Sequence, residues 1–192
     1  MSDVYLWGPC LYRTKISKQD VEYVFELCNK NPNNDFRKNL AGHIKDEYTI
    51  DVQKFKQITE KYYTGFAKAY KMYFGKDLNK LEPISAWVNY MKKGEYNPIH
   101  THTKCDYSSV LFIRTPEELK AEGAKMICAG QNNKPGSVNF IYGEALADCQ
   151  NHHSFYPEEG DFLIFPYWLK HVVNPFQSDI ERISVAANFI IK

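Results

Sequence analysis

Apolar residues follow two different rhythms along this chain. Up to about residue 84 they recur at helical spacing. Ser17 is placed to cap a helix, with Asp20 three residues on as its reciprocal partner. Val21, Val24, Phe25 and Cys28 then mark the buried side. The cluster NKNPNND predicts the stop. The next segment, FRKNLAGHIKDEYTI, shows neither period and stays unassigned. From Asp51 a longer helix is expected, with Val52, Phe55, Ile58, Tyr62, Phe66, Ala69 and Tyr73 as its apolar stripe and Phe74-Gly75 as its end. Such a stripe belongs to a helix laid against a sheet. Beyond residue 84 the rhythm becomes two. ISAWVNYM, SSVLFIRT, AKMICAG, GSVNFIYG, GDFLIFPYW, KHVVNPF and RISVAANFII are short, rich in β-branched and aromatic residues, and separated by Gly, Pro, Asn and Asp. Runs of this kind predict a sandwich or barrel of antiparallel strands. The expected fold is α+β, mainly β: one domain over 1–192, with a helical support region (1–84) packed on one sheet of a jelly-roll core (85–192).

Composition narrows the classes. With 192 residues and 44% hydrophobic content the chain can bury a sizeable core. A net charge of +1 gives no reason to expect nucleic acid or an anionic membrane as partner. Five cysteines (Cys10, Cys28, Cys105, Cys128, Cys149), an odd number without a CxxC, argue against a disulfide framework or a structural zinc site. No signal peptide is evident in MSDVYLWGPC, and no stretch approaches the length of a spanning helix. These features fit a reducing cytoplasm.

The candidate chemistry lies in the strand region. In NPIHTHTKCDYSS, His100 and His102 stand two apart. If the backbone there is extended, both imidazoles point to one side and could reach one metal ion. By itself an HxH is also compatible with two polar residues on a loop. Further on, His171 is isolated in a hydrophobic context, and Arg182-Ile183-Ser184 follows. In the final strand Arg182, Ser184, Ala186 and Asn188 share one face, and Ile183, Val185, Ala187 and Phe189 the other. A buried Arg beside a Ser asks for a carboxylate. That partner could be a ligand, or a structural Glu181 or Glu159.

These residues carry a family resemblance. WVNYMKKGEYNPIHTH, SSVLFI, PEEGDFLIFPYWLKHVV and RISVAANF resemble the iron(II)- and 2-oxoglutarate-dependent oxygenases, over residues 85–192. The pattern is also similar to a subgroup found in phages of marine bacteria, which would place the protein in the cytoplasm of the infected host. The resemblance implies a double-stranded β-helix, Fe(II) as cofactor and 2-oxoglutarate as co-substrate. It implies a dioxygenase that couples decarboxylation of 2-oxoglutarate to succinate with oxidation, most simply hydroxylation, of a substrate. His171 matches the distal iron ligand, and Arg182 and Ser184 match the positions that bind the far carboxylate of 2-oxoglutarate. The sequence departs from the family's His-x-Asp/Glu at His102. Either His100, His102 and His171 form a three-histidine site, or one of the first two joins Asp106. The second option needs a loop in Thr103-Lys104-Cys105, since four extended residues span about 13 Å. Loss of the carboxylate ligand bears on metal affinity and on reaction type.

Secondary expectations follow from position. Asn89 and Tyr90, on the strand before the HxH, could touch 2-oxoglutarate. Ser109 and Leu111 could face the pocket. His152 and His153 read as loop residues, His43 as a surface residue, and Trp87, Phe165 and Trp168 as packing. Two other readings stay open: a cupin-like three-histidine metal enzyme that does not use 2-oxoglutarate, and a jelly-roll binding module without catalysis. The expected partners are molecular oxygen and a small molecule or peptide. Oligomeric state is not written in this pattern.

Overall fold

The computed structural model describes residues 8–125, 134–144, 146–147 and 150–192. Ten strands form two antiparallel sheets. They are β1 (Tyr12–Lys15), β2 (Glu47–Thr49), β3 (Leu81–Lys92), β4 (Asn97–His100), β5 (Tyr107–Arg114), β6 (Val138–Ile141), β7 (His152–Phe155), β8 (Asp161–Pro166), β9 (Lys170–Val173) and β10 (Glu181–Ile191). The larger sheet runs β1-β8-β5-β10-β3-β2 and the smaller β4-β9-β6-β7. The larger sheet has helices on one face and the smaller sheet on the other. The result is a double-stranded β-helix with helices α1 (Lys18–Leu27) and α2 (Val52–Phe74) on its outer side.

Both faces of the central strands are therefore covered, and β8 is buried at every position. This explains why GDFLIFP is a continuous apolar run rather than an alternating one. β10 splits its side chains as expected. Ile183, Val185, Ala187 and Phe189 enter the core under the helices, and Arg182, Ser184, Ala186 and Asn188 line a cavity between the sheets. The inter-sheet core is filled by Met91, Phe112, Phe140, Leu163, Phe165 and Phe176.

The helices begin where the sequence places them. The Ser17 hydroxyl accepts from the Asp20 amide at 3.1 Å. The Asp51 carboxylate accepts from the amides of Gln53 and Lys54. Gly75 closes α2 at φ 69°. The buried side of α2 differs from the expected stripe: it is Phe55, Thr59, Tyr63, Phe66 and Tyr70. Val52, Ile58, Tyr62, Ala69 and Tyr73 flank it, half-buried. Thr59 is tolerated inside because its hydroxyl bonds to the Phe55 carbonyl and to Tyr63. Tyr62 turns outward to Asp20 and to the Ser17 amide, tying α2 to α1.

Other expectations are corrected. The first 84 residues are not only helical: β1 and β2 occupy the two edges of the larger sheet. The unassigned segment holds two short 3-10 turns (Pro32–Asn34, Arg37–Asn39) and β2. A helix, α3 (Glu117–Lys125), follows β5, as Thr115-Pro116-Glu117-Glu118 could have signalled. It takes up the start of the strand expected in AKMICAG, whose remainder, 126–130, lies outside the described residues. His152 and His153 are on β7, not on a loop. Cys10, Cys28 and Cys105 carry free thiols, and burial raises the pKa of each; Cys128 and Cys149 lie outside the described residues. Among the described residues no helix is long and apolar enough to cross a membrane.

Candidate metal centre and co-substrate site

The two sheets bring the separated histidines together. β4 pairs antiparallel with β9, and His100 stands opposite His171 in that register. His102 follows two residues on, just past the end of β4, where its amide donates to the Tyr167 carbonyl. The ligand atoms of the three side chains lie within 4.8 Å of one another. Nε2 of His102 and Nε2 of His171 are 3.3 Å apart. Nδ1 of His171 is 2.9 Å from the Leu169 carbonyl, and Nδ1 of His100 is 2.7 Å from the Pro98 carbonyl. Those carbonyls accept from N–H groups, which fixes the protons on Nδ1 and leaves Nε2 a free lone pair. Burial lowers all three pKa values, most of all that of His171. Repulsion between the imidazoles adds to this for His102, which falls to about 4, and for His171. The cluster is therefore neutral at pH 7, the state a metal needs. Trp87 and Phe165 flank His102 with ring centroids at 6.0 and 6.1 Å.

Asp106, the alternative third ligand, does not converge on this cluster. It is exposed, and its carboxylate accepts from the Ile191 amide at 2.7 Å, at the far end of β10. The donor set present is three neutral imidazoles, which suits Fe(II) and other borderline divalent ions.

Arg182 is buried at 2% exposure in a cavity of about 440 Å³ that also holds the three histidines. Its Nη1 donates to the Gly136 carbonyl at 2.8 Å, and its guanidinium lies 5.5 Å from the centroid of the Phe112 ring. Nε is buried with no hydrogen-bond partner. Neither proposed structural partner serves it: Glu181 pairs with Lys30 at 2.7 Å, and Glu159 stands 3.8 Å from Arg114. Among the described residues Arg182 forms no ion pair. Burial lowers its pKa to about 10, so it remains a cation at pH 7. An unpaired buried charge costs several kcal/mol. A carboxylate is the chemical complement of such an enclosed guanidinium, and Ser184 is two residues away on the same face.

The remaining expected positions divide by strand parity. Asn89 lines the cavity, and its side-chain amide donates to the Ser184 carbonyl. Tyr90, next along β3, points the opposite way into the core under the helices, where Lys30 sits over its ring at 4.4 Å. It does not reach the cavity. Ser109 lines the cavity and Leu111 packs under the helices. His43 is exposed and stacks on Tyr96. His153 packs on Phe155 and is not among the three converging imidazoles. Glu47, on β2, was not anticipated, yet among the described residues it is the one carboxylate in the cavity wall. Its only sequence signal is the short β-forming run Tyr48-Thr49-Ile50 that follows it.

Comparison with known proteins agrees with this geometry. A family model described as "Putative 2OG-Fe(II) oxygenase" matches residues 85–188, more than half of the chain, from within β3 to within β10. No curated protein matches the chain in sequence. Among solved structures it is similar in fold to a prolyl-4-hydroxylase from Pseudomonas putida (14% identity, TM-score 0.55, covering 95% of this chain and 92% of that one). It is also similar to the viral collagen prolyl hydroxylase of Paramecium Bursaria Chlorella virus-1, in complex with 2-oxoglutarate (12% identity, TM-score 0.56, covering 93% and 94%). A third is HygX from Streptomyces hygroscopicus, with nickel and 2-oxoglutarate bound (9% identity, TM-score 0.56, covering 95% and 83%). With the family model spanning the strands that carry the histidine cluster and the buried arginine, the chain belongs to the 2OG-Fe(II) oxygenases, oxidoreductases that work with Fe(II) and 2-oxoglutarate.

Proposed function

We propose that the protein is a 2-oxoglutarate-dependent dioxygenase that hydroxylates an aliphatic C–H bond. In this reading His100, His102 and His171 hold Fe(II) through Nε2, and Arg182 with Ser184 binds the far carboxylate of 2-oxoglutarate. The observation that carries it is Arg182, a fully enclosed cation with an orphaned Nε, in the same cavity as three converging imidazoles. Two prolyl hydroxylases are among the proteins of similar fold.

Each residue has a physical task. The Pro98 and Leu169 carbonyls hold His100 and His171 in the tautomer that presents Nε2. Phe112, Val138, Phe165 and Val173 wall the cavity with apolar surface and strengthen the Arg182–carboxylate pairing by excluding water. Asn89 braces the backbone at Ser184. Phe36, Leu40, Ala41 and Lys104 line the same cavity from loop segments, which is where a substrate would reach it. Bound there, Fe(II) and 2-oxoglutarate supply the oxygen-dependent oxidising step; the chain supplies ligands, orientation and dryness.

The test is an anaerobic Fe(II) titration with and without 2-oxoglutarate, read by the metal-to-ligand charge-transfer band of the chelated keto acid. The band should form in the wild type and in Asp106→Ala. It should vanish in His102→Ala. Truncating one member of a buried charge pair costs about 2–5 kcal/mol, so Arg182→Ala should weaken 2-oxoglutarate binding at least about thirtyfold. Iron binding without a band, or an unaffected Arg182→Ala, would instead favour a three-histidine metal enzyme that does not use 2-oxoglutarate.

A further inference from the structure

The cavity contains a second polar group without a partner. Glu47 is 1% exposed, lines the cavity, and has a buried Oε2 that receives no hydrogen bond. Its surroundings are built rather than accidental. In the register of the larger sheet Glu47 stands opposite Asn89, and Asn89 opposite Ser184. These side chains thus form one rank across β2, β3 and β10, with Glu47 about 10 Å from the proposed co-substrate position at Ser184, two strand spacings away. On its other side the chain carries Gly42. A Cβ there would lie 2.1 Å from Oδ1 of Asn97 and 3.3 Å from Oε1 of Glu47. Only glycine lets the loop close so tightly over these two oxygens.

The charges nearby leave Glu47 uncompensated. Arg37, a cation whose charge acts on Glu47, is engaged by Asp35 at 2.6 Å. Glu95, also buried, accepts from the amides of Lys45 and Lys92 and adds negative potential. Burial, and then the Glu95 carboxylate, push the Glu47 pKa up to about 7. The Asn89 amide N–H is turned to the Ser184 carbonyl, and two side-chain oxygens meet beside Gly42: one of the Glu47 carboxyl and the Asn97 carbonyl oxygen. A set of acceptors around one carboxylate matches a group with several donors and a positive charge, which is an ammonium.

We infer that Glu47, flanked by Asn89 and Asn97, is the substrate-binding residue for a protonated amine, so that the oxidised substrate is an amine-bearing molecule. This rests on the oxygenase reading above, because it places the amine in the same cavity as iron and 2-oxoglutarate. The carboxylate fixes one end of the substrate, about two strand spacings from the co-substrate. The reacting carbon is then held by the apolar wall near the histidines.

The experiment compares two probes of equal size, butylammonium and butan-1-ol. Binding is measured by calorimetry on the anaerobic protein loaded with Fe(II) and 2-oxoglutarate, at neutral pH. The charge-transfer band is recorded first; its absence would sink the oxygenase reading itself, and the inference with it. With the band present, the wild type should bind the ammonium at least tenfold more tightly than the alcohol. In Glu47→Gln, which keeps the shape and loses the charge, that preference should collapse to less than twofold while the band is retained. Equal binding of the two probes by the wild type, no binding of either, or a preference that survives in Glu47→Gln overturns the inference. If Glu47→Gln fails to form the band, Gly42→Ala serves in its place. Its Cβ displaces Asn97 and should lower the ammonium preference alone; an unchanged preference there counts against the inference too.

Discussion

Glu47 also has a consequence for stability. A carboxyl group whose folded pKa is raised, here from an ordinary value of 4.5 to about 7, holds its proton more tightly folded than unfolded. The folded state is therefore penalised as pH rises through that interval, fully so above pH 7, and not at all below pH 4.5. At 1.36 kcal/mol per unit the penalty is on the order of 3 kcal/mol. Glu47→Gln should raise the melting temperature at pH 8 relative to wild type, and the gain should fade as the pH is lowered to 5. A gain independent of pH would mean that Glu47 is not titrating in this range. The same residue marks the limit of what the sequence disclosed. His171 was singled out by its match to the family's distal iron ligand. His100 with His102, and Arg182 with Ser184, could be paired because an extended strand turns spacing into direction: two residues apart means one face. Asn188 could be placed on the cavity face for the same reason. Glu47 was not, because β2 is three residues long and too short to display a period. Tyr90 was misjudged against Asn89, although parity alone excludes that both face the cavity.

At the scale of the elements, α2 shows how tertiary contacts override pattern. Its stripe was read from apolar residues, but the sheet selects the line through Thr59 and Tyr63, whose hydroxyls satisfy each other inside. Gly65 lies where this helix meets β1: a Cβ there would stand 2.0 Å from the Tyr12 hydroxyl oxygen and 3.1 Å from the ring carbon that bears it. In an exposed helix Gly→Ala would stabilise by about 1 kcal/mol. Here Gly65→Ala should instead destabilise, by about 1–3 kcal/mol of overpacking, seen as a lower denaturant midpoint. Adding Tyr12→Phe removes the nearest atom and should recover most of the loss. Additive effects of the two substitutions would disprove the contact. α3 and β7 were missed for a different reason. α3 is a short, mostly charged helix with one buried residue, Leu119, and β7 is a polar edge strand. Neither carries enough apolar residues for a period to emerge, and both exist because stronger neighbours supply a surface.

The molecule as a whole joins its two sheets around a cavity. His100 and His171 belong to the smaller sheet and Arg182 and Ser184 to the larger, with Phe112, Phe140 and Phe165 packed between them. In the protein alone, the inner end of this sandwich holds one buried cation and three close imidazoles, an arrangement that opposes closure. In the proposed reading, His100, His102 and His171 of one side would hold a divalent ion and Arg182 of the other would hold a dicarboxylate, so that both sheets would contribute to one ionic site. Ligand binding should therefore stabilise the global fold. A ligand at one hundred times its dissociation constant adds about 2.7 kcal/mol, and a domain of this size shifts by about 2–4 °C per kcal/mol. Thermal melts in Mn(II), a redox-quiet substitute for Fe(II), should rise by roughly 5–10 °C when 2-oxoglutarate is added at that ratio. The increment should require the metal. Arg182→Ala should raise the melting point of the unliganded protein relative to His102→Ala, because it deletes an uncompensated charge, while abolishing the increment from 2-oxoglutarate. If 2-oxoglutarate stabilises Arg182→Ala as much as the wild type, the co-substrate does not bridge the sheets through that residue. Succinate, which retains a far carboxylate but has no keto group to chelate the metal, should give a smaller shift than 2-oxoglutarate in the wild type and none in Arg182→Ala, separating the contribution of the arginine from that of the metal.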